Sequence, residues 1–197
     1  MSFSLGLTGS IGMGKSTTAT LFAEQGCAVW DADAAVHRLY DVGGAAIEPL
    51  AAAFPDAVVS GAVDRGRLRQ VIVGDATALP RIEAIVHPLV AADRATFRKT
   101  ADRPVLVFDI PLLFETGGDT EMDAVACVWI DAETQRQRVL DRGTMTVEQF
   151  EQILQKQMPI TDKKARSDYL IETDTPEHAR EQVREILRDI ERQMQNA

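Results

Sequence analysis

The chain is short of everything that would take it out of the ordinary run of globular proteins. Its 197 residues include only two cysteines, Cys27 and Cys127. They stand far apart and in no CxxC or Cys/His spacing, which excludes a disulfide framework and a zinc site of the usual pattern. Both are expected as free thiols in or near the core. No apolar run approaches the roughly 18–20 residues of a membrane span. Met1–Leu5 lacks a basic segment and reads as the approach to a first strand instead of a signal peptide. A cytoplasmic location is the resulting expectation. Positive charge is in deficit: 21 Lys and Arg stand against 30 Asp and Glu, a net charge of −9. That balance argues against nucleic acid or an acidic lipid surface as partner, yet allows a locally basic pocket for a small anion. With 45% apolar residues the chain has enough to fill a core, which excludes disorder. A monomer or small homo-oligomer is expected.

Strands and helices alternate. Residues 3–8 read as a first strand and 15–24 as the helix after it, and 27–30 as a short second strand followed by a helical stretch over 34–40. The apolar runs 104–108 and 124–130, with a shorter one at 169–171, have the composition of strands buried on both faces of a parallel sheet. Between Leu50 and Arg103 no strong strand signal occurs. Helices are expected there over 65–73, 78–86 and 89–100, separated by turn residues. A helical pair spans 136–142 and 147–157 around Gly143, and a final amphipathic helix starts near Pro176. This order predicts an α/β fold with a parallel sheet, a helical lobe inserted after the second strand, and one domain throughout.

Gly9-Ser10-Ile11-Gly12-Met13-Gly14-Lys15-Ser16 matches the full P-loop pattern between a strand and a helix, with Thr17 next in line. Gly9 and Gly14 permit the tight turn that aims successive N–H groups at phosphate oxygens. The helix starting near Lys15 adds the positive end of its dipole. Lys15 is the mobile charge for the outer phosphates, and the Ser16 hydroxyl is a magnesium ligand. The motif assigns ATP-type phosphate binding and leaves the reaction open.

The motifs of other P-loop classes are missing. There is no Asn/Thr-Lys-x-Asp for guanine and no Leu-Ser-Gly-Gly-Gln of transporter ATPases, and Asp41-Val-Gly-Gly44 follows a helical stretch where a GTPase needs a strand end. A small-molecule kinase remains. It needs a carboxylate for the acceptor hydroxyl, positive charge for the transferring group, and a lid. In Asp31-Ala-Asp33, just past the second strand, Asp33 is placed to accept a hydroxyl proton, or either carboxylate merely caps the next helix. Asp109, ending the third strand, is either a Walker-B-like magnesium residue or a structural one. Leu112, Leu113 and Phe114 line a pocket or pack the core. Arg136, Arg138 and Arg142 crowd one short helix, with Arg138 and Arg142 on one face, as in a phosphate-reaching lid or an ordinary solvated helix.

Together these residues resemble the dephospho-CoA kinase family along nearly the whole chain. The resemblance rests on residues 6–16, Asp31-Ala-Asp33, Val63-Asp64-Arg65 with Leu68-Arg69, Ile85-Val86-His87-Pro88, Asp109 to Glu115, Arg138-x-x-x-Arg142 and Ser167 to Ile171. Asp109-Ile-Pro-Leu-Leu-Phe-Glu115 is the most specific block, since other P-loop kinases do not share it. The resemblance implies a three-layer P-loop NTPase-type core (about 1–49, 104–130 and 167–197) with a helical substrate lobe (about 50–103) and a helical lid (about 131–166). It implies transfer of the ATP γ-phosphate to the ribose 3′-hydroxyl of dephospho-CoA, with Mg²⁺. Asp33 would be the general base, Lys15 and Arg142 the stabilisers of the phosphoryl group, and Arg138 a further nucleotide contact. Arg65, His87, Leu112 and Leu113 would meet the acceptor, and Ser16 and Asp109 the metal.

Two positions depart from the family pattern. Gln152-Ile153 stands where an Arg-Ile pair is usual, so positive charge at the lid falls to Arg138, Arg142 and Lys163. Thr173 stands where the last strand usually runs into an Asn near the adenine. Kinase action on another alcohol, or a nucleotide sensor without catalysis, are the competing expectations.

Overall fold

A computed structural model describes residues 2–196. The chain forms two compact units, Met1–Val29 with Asp102–Ala197, and Trp30–Ala101.

The first unit is built on a five-stranded sheet. Its strands in chain order are β1 (Phe3–Thr8), β2 (Ala28–Asp31, along which the chain leaves the unit), β5 (Val105–Asp109), β6 (Ala124–Trp129) and β7 (Tyr169–Glu172). Their spatial order is β2-β5-β1-β6-β7, with β1 parallel to both β5 and β6, and β6 parallel to β7. Alternation sets the faces. Leu5, Leu7, Val105, Val107, Ala126 and Val128 turn to one side, where they share a core with Phe22 of helix α1 (Lys15–Glu24) and Val183, Ile186 and Ile190 of α9 (Pro176–Asn196). On the other side Val125 packs with Leu113 and Phe114 of the loop after β5. Between β6 and β7 lie three helices, α6 (Ala132–Asp141), α7 (Val147–Lys156) and α8 (Ile160–Arg166). The parallel strands, the interleaved helices and the burial of β5 on both faces are those expected from the sequence.

The second unit holds α2 (Ala32–Tyr40), α3 (Ile47–Ala53), the two-residue strands β3 (Val58–Val59) and β4 (Ala62–Val63), α4 (Arg65–Gly74) and α5 (Ala78–Thr100). Leu39 of α2 lies in one core with Leu50, Leu68, Ile82 and Val86. The lobe read from Leu50 onward thus shares its core with the helix before it.

One expectation for this unit fails and one is refined. Helices over 78–86 and 89–100 are one helix, α5, which runs through Pro88. An interior proline costs a helix about 3 kcal/mol. Ile82, Ile85, Val86, Leu89 and Val90 on both sides of it pack into the same core and hold the helix together. The segment with no strong strand signal is mostly helical, as expected, but also carries a short antiparallel pair, β3–β4. Ser60 and Gly61 both have positive φ, 52° and 80°, as a two-residue hairpin turn requires.

Candidate active site

The P-loop leaves the carboxyl end of β1 and delivers the chain to α1. Met13 is almost wholly buried in the sheet's core, so its side chain anchors the loop while its backbone stays in the turn. The turn is closed by the Met13 N–H donating to the Ser10 carbonyl at 3.2 Å. Gly14 caps α1 in the left-handed region, φ 84°, and offers no side chain to the first-turn N–H groups. Those donors, from Lys15, Ser16 and Thr17, are the ones a phosphate would meet. A Cβ on Gly14 would press on Thr173 at 3.2 Å, so both dihedral and space call for glycine.

Lys15 Nζ pairs with Asp109 Oδ1; the aspartate side chain is fully buried and the lysine nearly so. The pairing follows from the sheet, where Leu7 of β1 lies opposite Asp109 at the end of β5. Ser16 is exposed in the first turn of α1, and its hydroxyl, like the Asp109 carboxylate, is a hard oxygen donor. A set of one or two protein oxygens, with the rest from phosphate and water, suits Mg²⁺.

Thr173 ties three elements together. It is buried, its hydroxyl donates to the Met13 carbonyl at 2.9 Å and accepts from Arg138 Nη1 at 3.2 Å. Arg138 also donates to the Thr173 carbonyl at 2.7 Å. Arg138 is therefore spent in large part on the end of β7. Arg142 is exposed at the end of α6 and, with Gly12, Gly14, Thr17, Arg138 and Thr173, lines a cleft of about 190 Å³. Arg136 is exposed on the same helix.

Two sequence expectations change. Lys163 cannot add charge at a lid, because its side chain is fully buried: Nζ donates to the Pro111 carbonyl at 2.8 Å and pairs with Glu115 at 2.9 Å. Burial pushes the Glu115 carboxyl up, but the Met158 N–H and Lys163 outweigh it and hold it below its ordinary value. The charged ends of the 109–115 block are thereby anchored to α1 and α8. Leu113 is also fully buried, packed beneath Gly6, and presents no surface to a ligand, whereas Leu112 is exposed. The cysteines are unpaired, and burial pushes both thiols up to about 11. Among the described residues no helix is long and apolar enough to cross a membrane.

The second unit carries the other predicted residues. Asp31 caps α2, its Oδ1 accepting from the Ala34 N–H at 2.8 Å. Asp33, exposed one residue into α2, does not have that duty. Arg65 lies 3.0 Å from His37 Nε2 and over the Tyr40 ring, and His87 is exposed on α5. His37 was not singled out by the sequence reading. One turn after Asp33, it falls on the same helix face.

Sequence reading also missed Gln135 and Gln157, which hold the backbone of Ile11. Gln135 Nε2 donates to the Ile11 carbonyl at 2.7 Å, and the Ile11 N–H donates to Gln157 Oε1 at 3.1 Å. A glutamine on a charged helix reads as solvent-facing, so no local signal marks either.

The dephospho-CoA kinase (CoaE) family model matches residues 3–178. The chain is 66% identical over 190 residues to the dephospho-CoA kinase of Ruegeria pomeroyi, covering 96% of each. Among solved structures it is similar to the Thermus thermophilus protein TT1252, with a TM-score of 0.84 and 31% identity, covering 94% of this chain and 96% of that one. A dephospho-CoA kinase from Campylobacter jejuni shares the fold at a TM-score of 0.70 and 22% identity, covering 96% of this chain and 98% of that one. With a P-loop, a pair between the lysine that opens α1 and the aspartate that ends β5, and a match running through the helical lobe, the chain belongs to the dephospho-CoA kinase family.

Proposed function

We propose that the protein transfers the γ-phosphoryl group of ATP to the ribose 3′-hydroxyl of dephospho-CoA, releasing CoA and ADP. The observation that carries the reading is the pairing of Asp109 with Lys15 of the P-loop, next to Ser16, in a chain of this family. The loop's N–H groups and Lys15 receive the β- and γ-phosphates. Ser16 and Asp109 would hold Mg²⁺, which would neutralise charge on the phosphates. The cleft lined by Thr173 and Arg142 is smaller than the roughly 300 Å³ of a typical ligand site and takes only part of the nucleotide, its nucleoside end.

Asp33 is the general base. Asp31 is occupied as a helix cap, which leaves its neighbour for the hydroxyl. The 3′-oxygen attacks the γ-phosphorus as Asp33 takes its proton, and the bond to the ADP oxygen breaks. Arg142 approaches the phosphoryl group from the lid segment, with Arg138 as the inner contact. Arg65, His87 and Leu112 belong to acceptor binding.

Coupled ADP release tests the reaction. Dephospho-CoA should stimulate it far above background, and a nucleoside acceptor should not; equal stimulation by both would redirect the reading to another alcohol. Asp33→Ala should keep ATP binding and lower turnover by about 10²-fold or more, the scale of a lost general base. Unchanged turnover would remove Asp33 from the mechanism.

A further inference from the structure

Gln135 lies in the first turns of α6, and Gln157 follows the last residue of α7, so the segment 131–166 grips the P-loop at two points. Both grips fall on one residue, Ile11. The chemistry at each is directional. A carbonyl can only accept and an N–H can only donate, so Gln135 must present its amide nitrogen and Gln157 its amide oxygen. Gln135 is buried, and a Cβ on Gly12 would overlap the Val139 side chain, with the Gln135 carbonyl 3.2 Å away. Helix α6 therefore rests against the loop with no slack.

Two successive peptide planes are set by these contacts. In the plane joining Ser10 to Ile11, the N–H goes to Gln157 and the carbonyl accepts from the Met13 N–H. In the plane joining Ile11 to Gly12, the carbonyl goes to Gln135. A peptide unit is planar and trans, so its N–H points opposite to its carbonyl. Fixing the Ile11 carbonyl on Gln135 therefore turns the Gly12 N–H away from the Gln135 amide.

We propose that Gln135 and Gln157 are positioning residues for phosphate binding: they lock the Ile11 peptide planes, aim the Gly12 N–H, and make the lid segment set the shape of the P-loop. The proposal rests on the P-loop binding a polyphosphate, as in the function above, and is independent of the acceptor.

Inorganic triphosphate and adenosine separate the two ends of the nucleotide site, and calorimetry of the full-length protein measures both. The isosteric changes Gln135→Met and Gln157→Met should each weaken triphosphate binding by about tenfold, the scale of a lost hydrogen bond that strands its partner. Adenosine affinity should stay within about twofold. The double variant should lose less than the product of the single losses, because both side chains hold one residue. Gln157→Glu keeps an acceptor for the Ile11 N–H. At high salt, where its added charge is screened, it should bind triphosphate better than Gln157→Met does. Gln135→Glu offers oxygen to a carbonyl and should be no better than Gln135→Met. Circular dichroism checks folding, and the two glutamate variants supply the contrast if a methionine variant misfolds. Equal losses for triphosphate and adenosine, no loss, or no advantage of Gln157→Glu over Gln157→Met would overturn the proposal. If the unmodified protein fails to bind triphosphate, the reading of the P-loop falls instead.

Discussion

Three glycines of the first unit share nearly the same positive φ and differ in their surroundings, which allows dihedral cost and packing cost to be separated. Gly12, Gly14 and Gly26 have φ of 77°, 84° and 89°. A Cβ at Gly26 would meet nothing within 4 Å; at Gly14 it would meet three atoms of Thr173 at 3.2–3.3 Å; at Gly12 it would overlap Val139. A left-handed alanine costs about 1–2 kcal/mol. The stiffer unfolded chain returns about 0.4–1 kcal/mol of that. Gly26→Ala should therefore destabilise by about 1 kcal/mol. At Gly14 the neighbour cannot yield freely, because the Thr173 hydroxyl is bound to Met13 and Arg138. Overpacking adds about 1–3 kcal/mol, so Gly14→Ala should cost about 2–4 kcal/mol. Val139 is buried, and making room at Gly12 means moving α6, which places Gly12→Ala at the top of the series. Urea unfolding followed by circular dichroism gives the three losses from one unit. ATP affinity should fall for Gly12→Ala and Gly14→Ala and hold for Gly26→Ala. Three equal losses, or Gly26→Ala as the worst, would refute the reasoning.

Two further outcomes follow from the buried charges. Lys15→Met should destabilise the protein by about 3 kcal/mol, because Asp109 loses its lysine inside the core. Adding Asp109→Asn should recover part of that, and strict additivity in the double-mutant cycle would count against the pairing. Glu115 sits below its ordinary value, so its stabilising contribution is complete above about 4.5, its unfolded-chain value, and is lost as pH falls through the lower folded value. The stability gap between wild type and Glu115→Gln should therefore shrink on acidification through that window. A gap that is constant with pH would show that the carboxylate's charge is not what Lys163 and the Met158 N–H recognise.

Much of the first unit was legible because its signals are local. The runs around Leu5, Val107 and Ala126 are apolar enough to be strands buried on both faces, and the P-loop carries its turn chemistry in its own glycines. In the second unit local signals misled. Pro88 reads as a break, yet the core contacts of Val86 and Leu89 carry the helix across it. The hairpin's strands are two residues each, too short for any period, although Ser60-Gly61 is a recognisable turn pair.

For the site, residue types alone gave the expectations that phosphate meets Gly9–Thr17, that Lys15 supplies charge, and that Asp33 takes a hydroxyl proton unless it merely caps a helix. Only tertiary structure decided the partners: Asp31 became the cap, Leu113 and Lys163 withdrew into the interior, and Thr173 became a buttress of the loop. Gln135 and Gln157 acquired a function no sequence pattern marks, since the Ile11 backbone they hold lies 124 and 146 residues away. A phosphate cradle is a property of a few adjacent peptide groups and is written where they are. What fixes those peptides in space is burial and hydrogen bonding across the fold, which arises only when distant segments pack.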